Sequence, residues 1–295
     1  MKHYYKDLKI EVMKYTRALF LAILALVALP MMGQIVTSIK GVERERINVD
    51  SIINDFDSRP AFGIYKDTYF VGGTALNTKP TEYNSDVKFQ ISFRHRLTKS
   101  ILPFHSHLFL QYSQKAIWNV FEESLPFHDL NFNPGIGVQN LVMHNGRLVG
   151  NATIMLEHES NGRDGEASRS WNKVTFGYAA VIDPRLEVYA KTWIPIIDGQ
   201  QNKDILKYCG IFQVGSQFIS SNKRWVADVT FVKRQGWNLN FNTILNLGFR
   251  FSKRDNQYFM LHFYDGYGEN LLDYNKYHLR LRIGILIRPD FFSDF

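Results

Sequence analysis

The sequence has a single cysteine and only one long hydrophobic run, and each shortage argues against a class of protein. Because Cys209 is the only cysteine, no disulfide bond can form within the chain, so stability comes from other interactions. A helical membrane protein with several spans needs repeated apolar runs of about 20 residues. Here the mean hydropathy is −0.22 and the one such run lies near the N-terminus. The 45% hydrophobic content excludes a disordered tail protein.

Aromatic residues, by contrast, are abundant. The 295 residues include 23 Phe, 15 Tyr and 5 Trp, or 15% of the chain. Aromatic side chains are favoured in β-strands and form the interfacial girdles of membrane barrels. Because helical patterning is scarce, this composition predicts an all-β protein. The length allows one large domain or two small ones.

The N-terminus is predicted to be a secretory signal peptide covering residues 1–33. A basic segment precedes the apolar block Ala18–Leu29, and Pro30 and Gly33 follow it. A single transmembrane anchor is the weaker alternative, because Pro30 interrupts the run and no basic cluster follows at once. Without residues 1–33 the net charge falls from +7 to +4, so the basic balance is poor evidence for nucleic-acid binding.

Residues 34–62 show no strand alternation and contain the mixed charge run Lys40–Arg46. We interpret them as a periplasmic arm. No internal repeat or low-complexity tract is visible in the chain.

From residue 63 to residue 295 the chain alternates between apolar and polar residues, with turn residues between segments. In the last segment, one face carries Leu281, Ile283 and Ile285, and the other carries Arg280 and Arg282. The pattern predicts twelve strands, an even number as in bacterial single-chain barrels. Their approximate bounds are 64–74, 87–96, 107–117, 135–142, 151–158, 173–182, 186–193, 208–219, 225–233, 240–251, 258–266 and 277–287.

The polar face of these segments is rich in Arg and Asn, whereas the apolar face is large and aromatic. This distribution favours a transmembrane antiparallel β-barrel with a lipid-facing exterior and a polar interior. A soluble β-sandwich is the rival fold, but its charged face would look at water. The terminal Phe295 also resembles the signal read by the outer-membrane barrel assembly machinery.

One predicted hairpin places polar residues on the apolar face. His158 and Ser160 continue the face of Ala152, Ile154 and Leu156, and Asn172 opens the corresponding face of the next strand. A serine nucleophile needs a base such as histidine, and an amide oxygen can fix the tautomer of that base. These residues could form a catalytic trio, or they could be interfacial polar residues where a strand leaves the bilayer.

The stretch from His158 to Asn172, HESNGRDGEASRSWN, resembles the signature of the outer membrane phospholipase A family. The resemblance extends over roughly residues 63–295. It includes, in order and spacing, Asp86–Gln90, Gln114-Lys115 with Trp118, Glu122–Ser124 with Pro126-Phe127, and Gly266–Asn270 through Asp273–Asn275.

This resemblance implies a twelve-stranded outer-membrane barrel in a Gram-negative-type envelope that hydrolyses acyl esters of phospholipids and lysophospholipids. It implies Ser160 as nucleophile, His158 as general base, Asn172 as its orienting group and the Gly162 amide as part of the oxyanion hole. The family is calcium-dependent and active as a homodimer. Its calcium ligands correspond to the Arg163 carbonyl, the Ser168 hydroxyl and the Ser124 carbonyl of the partner subunit, and Gln114 corresponds to a position in the dimer seam.

The sequence departs from the family pattern at two places. The Ser-Asp-Pro that follows the arginine in the family is Asp164-Gly165-Glu166 here, which could also be a solvated loop pair. The aspartate of the monomeric calcium site corresponds to Gln201, with Asp198 and Asp204 nearby. The alternative function is a non-enzymatic outer-membrane barrel, either a narrow pore or a structural protein.

Overall fold

The computed structural model describes residues 49–144, 147–196, 200–252 and 255–288, and all structural statements below concern these residues. The predicted signal peptide, residues 34–48 of the predicted arm and the terminal Phe295 lie outside them. No helix in the described ranges is long and apolar enough to cross a membrane.

Twelve antiparallel strands close into a barrel, as predicted. The described strands are β1 (Phe62–Ile64), β2 (Thr68–Ala75), β3 (Ser85–Arg96), β4 (Ser106–Trp118), β5 (Phe127–His144), β6 (Arg147–Ser160), β7 (Ser170–Asp183), β8 (Leu186–Ile196), β9 (Phe212–Ile219), β10 (Trp225–Lys233), β11 (Phe241–Arg250), β12 (Gln257–Gly266) and β13 (His278–Ile287). Each of β2 to β13 pairs with its neighbour in sequence, and β13 pairs with β2, which closes the barrel. The short β1 pairs with the end of β3 outside this ring.

The two faces of the wall differ as the alternation predicts. Large apolar side chains point outward and stay exposed in the isolated chain: Phe70, Ile91, Ile154, Leu156, Phe176, Ile194, Phe259, Ile283 and Ile285. Polar and charged side chains point inward and are buried: Asp86, Lys88, Ser113, Gln139, Glu157, Thr175, Asp228, His262 and Arg282. An apolar exterior around a polar interior is the arrangement expected of a barrel surrounded by lipid.

The interior is filled mainly by hydrogen-bonded charges. Arg282 contacts Asp86 through Nε at 2.5 Å and Glu269 through Nη1 at 2.6 Å, and Lys88 Nζ lies 3.1 Å from Glu269 Oε1. Around these groups a polar cavity of about 320 Å³ remains. Arg288 forms a second cluster with Asp67 and Asp228.

The N-terminal part of the described chain differs from the strandless arm that the sequence predicts. Val49–Ser58 is helix α1, and β1 follows it. The guanidinium of Arg96 donates to the carbonyl oxygens of Phe56, Asp57 and Arg59, while the Asp57 carboxylate accepts the amide of Ser100. These contacts fix α1 against the turn between β3 and β4.

The connections at the end of the barrel where β6 meets β7 include the longest between the described strands. One of them, residues 267–277, folds into the barrel mouth, where Glu269, Leu271 and Tyr274 are buried. The connection between β8 and β9 includes the short helix α2 (Leu206–Cys209). This helix packs against a hydrophobic cluster that contains Leu271 and Tyr274. The candidate site lies at this end of the barrel.

Candidate active site

The register of β6 and β7 brings the three candidate catalytic residues to one place on the outer wall. His158 is paired directly with Asn172, and Ser160 is paired with Ser170. Ile154 and Leu156, which precede them on the same face of β6, are 56% and 50% exposed, whereas Glu157, between Leu156 and His158, is buried. His158 and Ser160 therefore face outward at the end of a strand pair.

A hydrogen bond joins His158 to Asn172. The Nδ1 atom of His158 lies 2.8 Å from Oδ1 of Asn172. Because the amide oxygen can only accept, this contact assigns the proton to Nδ1 and leaves Nε2 as the basic nitrogen. Within the described chain no hydrogen bond joins Ser160 to His158, and such bonds often tighten only when substrate is bound.

The interior side of the same strands is fixed by an ionic network. Lys173 Nζ lies 3.4 Å from Glu159 Oε2 and 3.8 Å from Glu157 Oε2. Glu159 also accepts the indole N–H of Trp171 at 3.1 Å and lies 3.7 Å from Lys115. Because these contacts cross from β6 to β7, they fix the inward side of the strand pair whose outward side carries His158, Ser160 and Asn172.

The loop after Ser160 turns sharply at Gly162. This residue has φ +64°, a left-handed conformation that favours glycine. An added Cβ would lie 3.0 Å from Cε2 of Phe132, so the ring of Phe132 closely lines the position. In the described chain no protein acceptor takes the Gly162 N–H.

The residues expected to hold calcium lie in two loops at this end of the barrel. Arg163 and Ser168 belong to the loop of residues 161–169, and Ser124, with φ +65°, belongs to the connection between β4 and β5. Carbonyl and hydroxyl oxygens are hard donors that suit calcium, so the chemistry of this donor set fits the ion. Asp164 and Glu166 are exposed in the same loop. The described residues contain no cluster of three or more His, Cys, Asp or Glu side chains that could hold a metal.

Four further residues were singled out by the sequence, and the structure describes three of them. Gln201 is exposed and Asp198 lies outside the described residues, whereas Asp204 accepts the hydroxyl of Tyr274 at 2.6 Å. Gln114 lies on the outer face of β4 and accepts the hydroxyl of Tyr112 at 3.1 Å.

The lone cysteine is unsuited to nucleophilic chemistry. Cys209 borders the interior cavity, and desolvation there raises the pKa of its thiol to about 12. Because the thiolate is the nucleophilic form, this side chain is unreactive near neutral pH.

Two buried residues that hold the site were not indicated by the sequence. Asn202 is fully buried, and its amide accepts from the Ser170 N–H and donates to the Ser170 carbonyl, so it secures the residue opposite Ser160. Asp129, at the start of β5, is 1% exposed and faces the loop of residues 161–169. Each of them contacts residues 32 positions away in the sequence, and local sequence patterns do not indicate contacts at that separation.

Comparison with known proteins agrees with this architecture. The family model "Phospholipase A1" matches residues 66–287. The chain is 30% identical over 217 residues to Phospholipase A1 of Escherichia coli (strain K12), covering 70% of this chain and 71% of that protein. It is 29% identical over 242 residues to Phospholipase A1 of Salmonella typhimurium, covering 77% of this chain and 79% of that protein.

Solved structures give the same result. The outer membrane phospholipase A from Escherichia coli superposes with a TM-score of 0.68 at 26% identity, covering 78% of this chain and 99% of that one. The Salmonella typhi outer membrane phospholipase, described as a dimer with bound calcium, superposes with a TM-score of 0.70 at 25% identity, covering 81% and 98%. The chain therefore belongs to the phospholipase A1 family and is an outer-membrane β-barrel enzyme that hydrolyses carboxylic esters of phospholipids.

Proposed function

We propose that the chain hydrolyses phospholipids and lysophospholipids through Ser160, His158 and Asn172, with calcium and as a homodimer. The observation that carries the proposal is the His158–Asn172 hydrogen bond on the lipid-facing wall, with Ser160 two residues further along the same face. A polar trio on an apolar surface needs a functional reason, since polar groups facing lipid lose their water. Catalysis on a membrane lipid supplies one, because this face meets its substrate directly.

The proposed reaction has two steps. Nε2 of His158 takes the proton of the Ser160 hydroxyl while its Oγ attacks the ester carbonyl carbon, and the Gly162 N–H donates to the resulting oxyanion. The tetrahedral intermediate collapses, His158 protonates the leaving alcohol, and a lysophospholipid departs from the acyl-serine. Water, deprotonated by His158, then attacks the acyl-serine, which releases the fatty acid and restores Ser160.

Asn172 orients the base throughout. Its Oδ1 accepts the Nδ1–H of His158 and so leaves Nε2 as the nitrogen that takes the Ser160 proton. A neutral amide suits this position, because a carboxylate near hydrocarbon would carry a desolvation penalty of several kcal/mol.

The Arg163 carbonyl, the Ser168 hydroxyl and Ser124 of the partner subunit would hold the calcium ion. When bound, the ion would supply positive charge that stabilises the developing oxyanion. The related Salmonella typhi phospholipase is a dimer with bound calcium, which supports both parts of the proposal. If Ser124 of the partner subunit completes the site, activity depends on dimerisation.

Fatty acid release from mixed micelles of a fluorogenic phospholipid tests the proposal. We expect calcium-dependent hydrolysis by the refolded protein, and residual activity about 10⁴-fold or more lower in Ser160→Ala, because nucleophile removal disables the trio. Ser221→Ala, at an exposed turn on the opposite end of the barrel, is the matched control and should behave as the parent. Undiminished hydrolysis by Ser160→Ala would refute the assigned nucleophile, and undiminished hydrolysis with excess chelator would refute the calcium requirement.

A further inference from the structure

Asn161, the residue after the proposed nucleophile, points its side chain into the protein rather than toward lipid. It is 3% exposed. Its Oδ1 accepts the backbone N–H groups of Arg163 at 3.4 Å and Arg169 at 2.9 Å. Its Nδ2 donates to the Ala167 carbonyl at 2.9 Å and lies 3.4 Å from Asp129 Oδ1. The amide thus uses its oxygen within the 161–169 loop and its nitrogen on both that loop and Asp129 of β5.

These contacts join the two limbs of the loop of residues 161–169. Arg163 belongs to the outgoing limb, and Ala167 and Arg169 belong to the returning limb. The backbone N–H of Asn161 also donates to the Arg169 carbonyl at 3.0 Å. The same loop carries Gly162, whose N–H is the proposed oxyanion donor, and the Arg163 and Ser168 oxygens. One side chain therefore sets the shape of the segment that carries these groups.

Asp129 anchors this arrangement to the barrel wall. Its Oδ2 accepts from Asn131 at 2.6 Å and from the Leu272 N–H at 2.8 Å, while its Oδ1 lies 3.8 Å from Nε of Arg163. The carboxylate therefore has partners on the β5 wall, the 267–277 loop and the 161–169 loop. Because it is buried and held from several sides, it gives the Asn161 amide a rigid reference point.

We propose that Asn161 is a positioning residue for the reaction, whose amide, seated on Asp129, fixes the orientation of the Gly162 N–H toward the oxyanion. The inference rests on the proposed function and adds a residue that acts through the loop without touching substrate. A small misplacement of an oxyanion donor weakens transition-state binding more than ground-state binding, because the charge develops only in the transition state. The effect is therefore expected in kcat rather than in KM.

Asn161→Ala tests this in the refolded full-length chain with a chromogenic thioester lysophospholipid analogue. We expect kcat to fall about 10²-fold while KM stays within about threefold, since a displacement near 1 Å can have that effect. The matched control is Asn242→Ala. Asn242 is equally buried, and its amide donates to the Tyr208 carbonyl and accepts the Tyr267 N–H, but within the described chain it forms no hydrogen bond with Asp129 or with the 161–169 loop. Its kcat should remain close to that of the parent.

Exchanging the amide and the carboxylate between residues 161 and 129 tests the proposal even if Asn161→Ala does not fold. Asn161→Asp retains the acceptor for Arg163 and Arg169 but sets a second carboxylate against Asp129, so it should also lose activity. Adding Asp129→Asn restores a donor opposite residue 161 and should recover part of kcat, a coupling that a double-mutant cycle measures.

The inference is overturned if kcat of Asn161→Ala stays within threefold of the parent, if Asn242→Ala loses as much kcat, if the loss lies in KM alone, or if the double variant recovers nothing. Failure of the proposed function looks different, because Ser160→Ala would then hydrolyse the analogue as well as the parent does. An inactive Ser160→Ala beside a fully active Asn161→Ala would refute the inference alone.

Discussion

At the scale of single residues, two regularities of β-structure were enough to bring the proposed trio together. Side chains two positions apart share one face of a strand, which places His158 with Ser160. A hairpin in register then sets Asn172 opposite His158, where the 2.8 Å hydrogen bond forms. The backbone turn at Gly162 could not be obtained in this way, because alternation describes strands and not the loop that leaves them.

Gly162→Ala tests the oxyanion role at this scale. The residue has φ +64°, and the new methyl group would lie 3.0 Å from Cε2 of Phe132, so the loop or the ring must move by a few tenths of an ångström. We expect kcat to fall about 10²-fold, the size of effect seen when one oxyanion donor is lost. The measurement is the steady-state hydrolysis of the thioester lysophospholipid analogue.

Gly165→Ala provides the matched control for backbone strain. Gly165 has φ +58° in the same loop, but nothing lies within 4 Å of an added Cβ. Each substitution places alanine in a left-handed conformation, at a cost of about 1–2 kcal/mol. Gly165→Ala should keep most of the activity, and an equal loss in both variants would attribute the effect to strain rather than to the oxyanion donor.

At the scale of elements, the alternation placed all twelve barrel strands, and its errors have physical causes. Strand β5 extends from Phe127 to His144 rather than over 135–142, because Pro134, Gly135 and several asparagines conceal its alternation. Strand β9 starts at Phe212 rather than 208, since Leu206–Cys209 form a helical turn whose apolar side chains pack inside the barrel mouth. Helix α1 depends on Arg96, a tertiary contact that no local pattern reports.

The loop of residues 267–277 was not predicted to enter the barrel, and an ionic contact at its tip makes its attachment dependent on pH. His128 Nε2 lies 2.7 Å from Asp273 Oδ2, and Lys276 Nζ lies 2.8 Å from Oδ1. The hydrogen bond from His128 holds the pKa of Asp273 well below its usual range. A depressed carboxyl pKa stabilises the folded chain above the unfolded pKa, near about 4, and this stabilisation is lost as the pH falls toward the folded value.

Asp273→Asn should therefore lower the urea midpoint at pH 7 and reduce the loss of stability that the parent shows between about pH 4 and pH 2. Urea unfolding followed by tryptophan fluorescence at pH 7, 4 and 2 measures both effects. Asp255→Asn removes the same charge from an exposed turn at the opposite end of the barrel and should leave the pH profile unchanged. A parallel downward shift of the Asp273→Asn curve at every pH would contradict the assignment.

At the scale of the whole molecule, paired charges occupy the interior of the barrel. The barrel therefore serves as a scaffold for a site on its outer wall. Ion pairs between Arg282, Asp86, Glu269 and Lys88 occupy the interior beneath the loop of residues 267–277. Buried charges are tolerated only when paired, so each member depends on the others. Family membership assigns the activity to an esterase rather than to the non-enzymatic pore considered as the alternative.

Arg282→Met tests how strongly the barrel depends on this network. The side chain is 1% exposed, and its loss leaves the carboxylates of Asp86 and Glu269 without their main partner. Removing one member of a buried ion pair typically destabilises a protein by about 3–5 kcal/mol, so we expect a loss of that size in urea unfolding with lipid vesicles present. Arg185→Met breaks the half-exposed pair with Asp183 and should change the stability by about 1 kcal/mol or less.

Neutralising both acids together, with Asp86→Asn and Glu269→Gln, should recover part of the loss in the Arg282→Met background. Equal losses in the two arginine variants, or no recovery, would mean that the strand ladder alone carries the stability of the barrel.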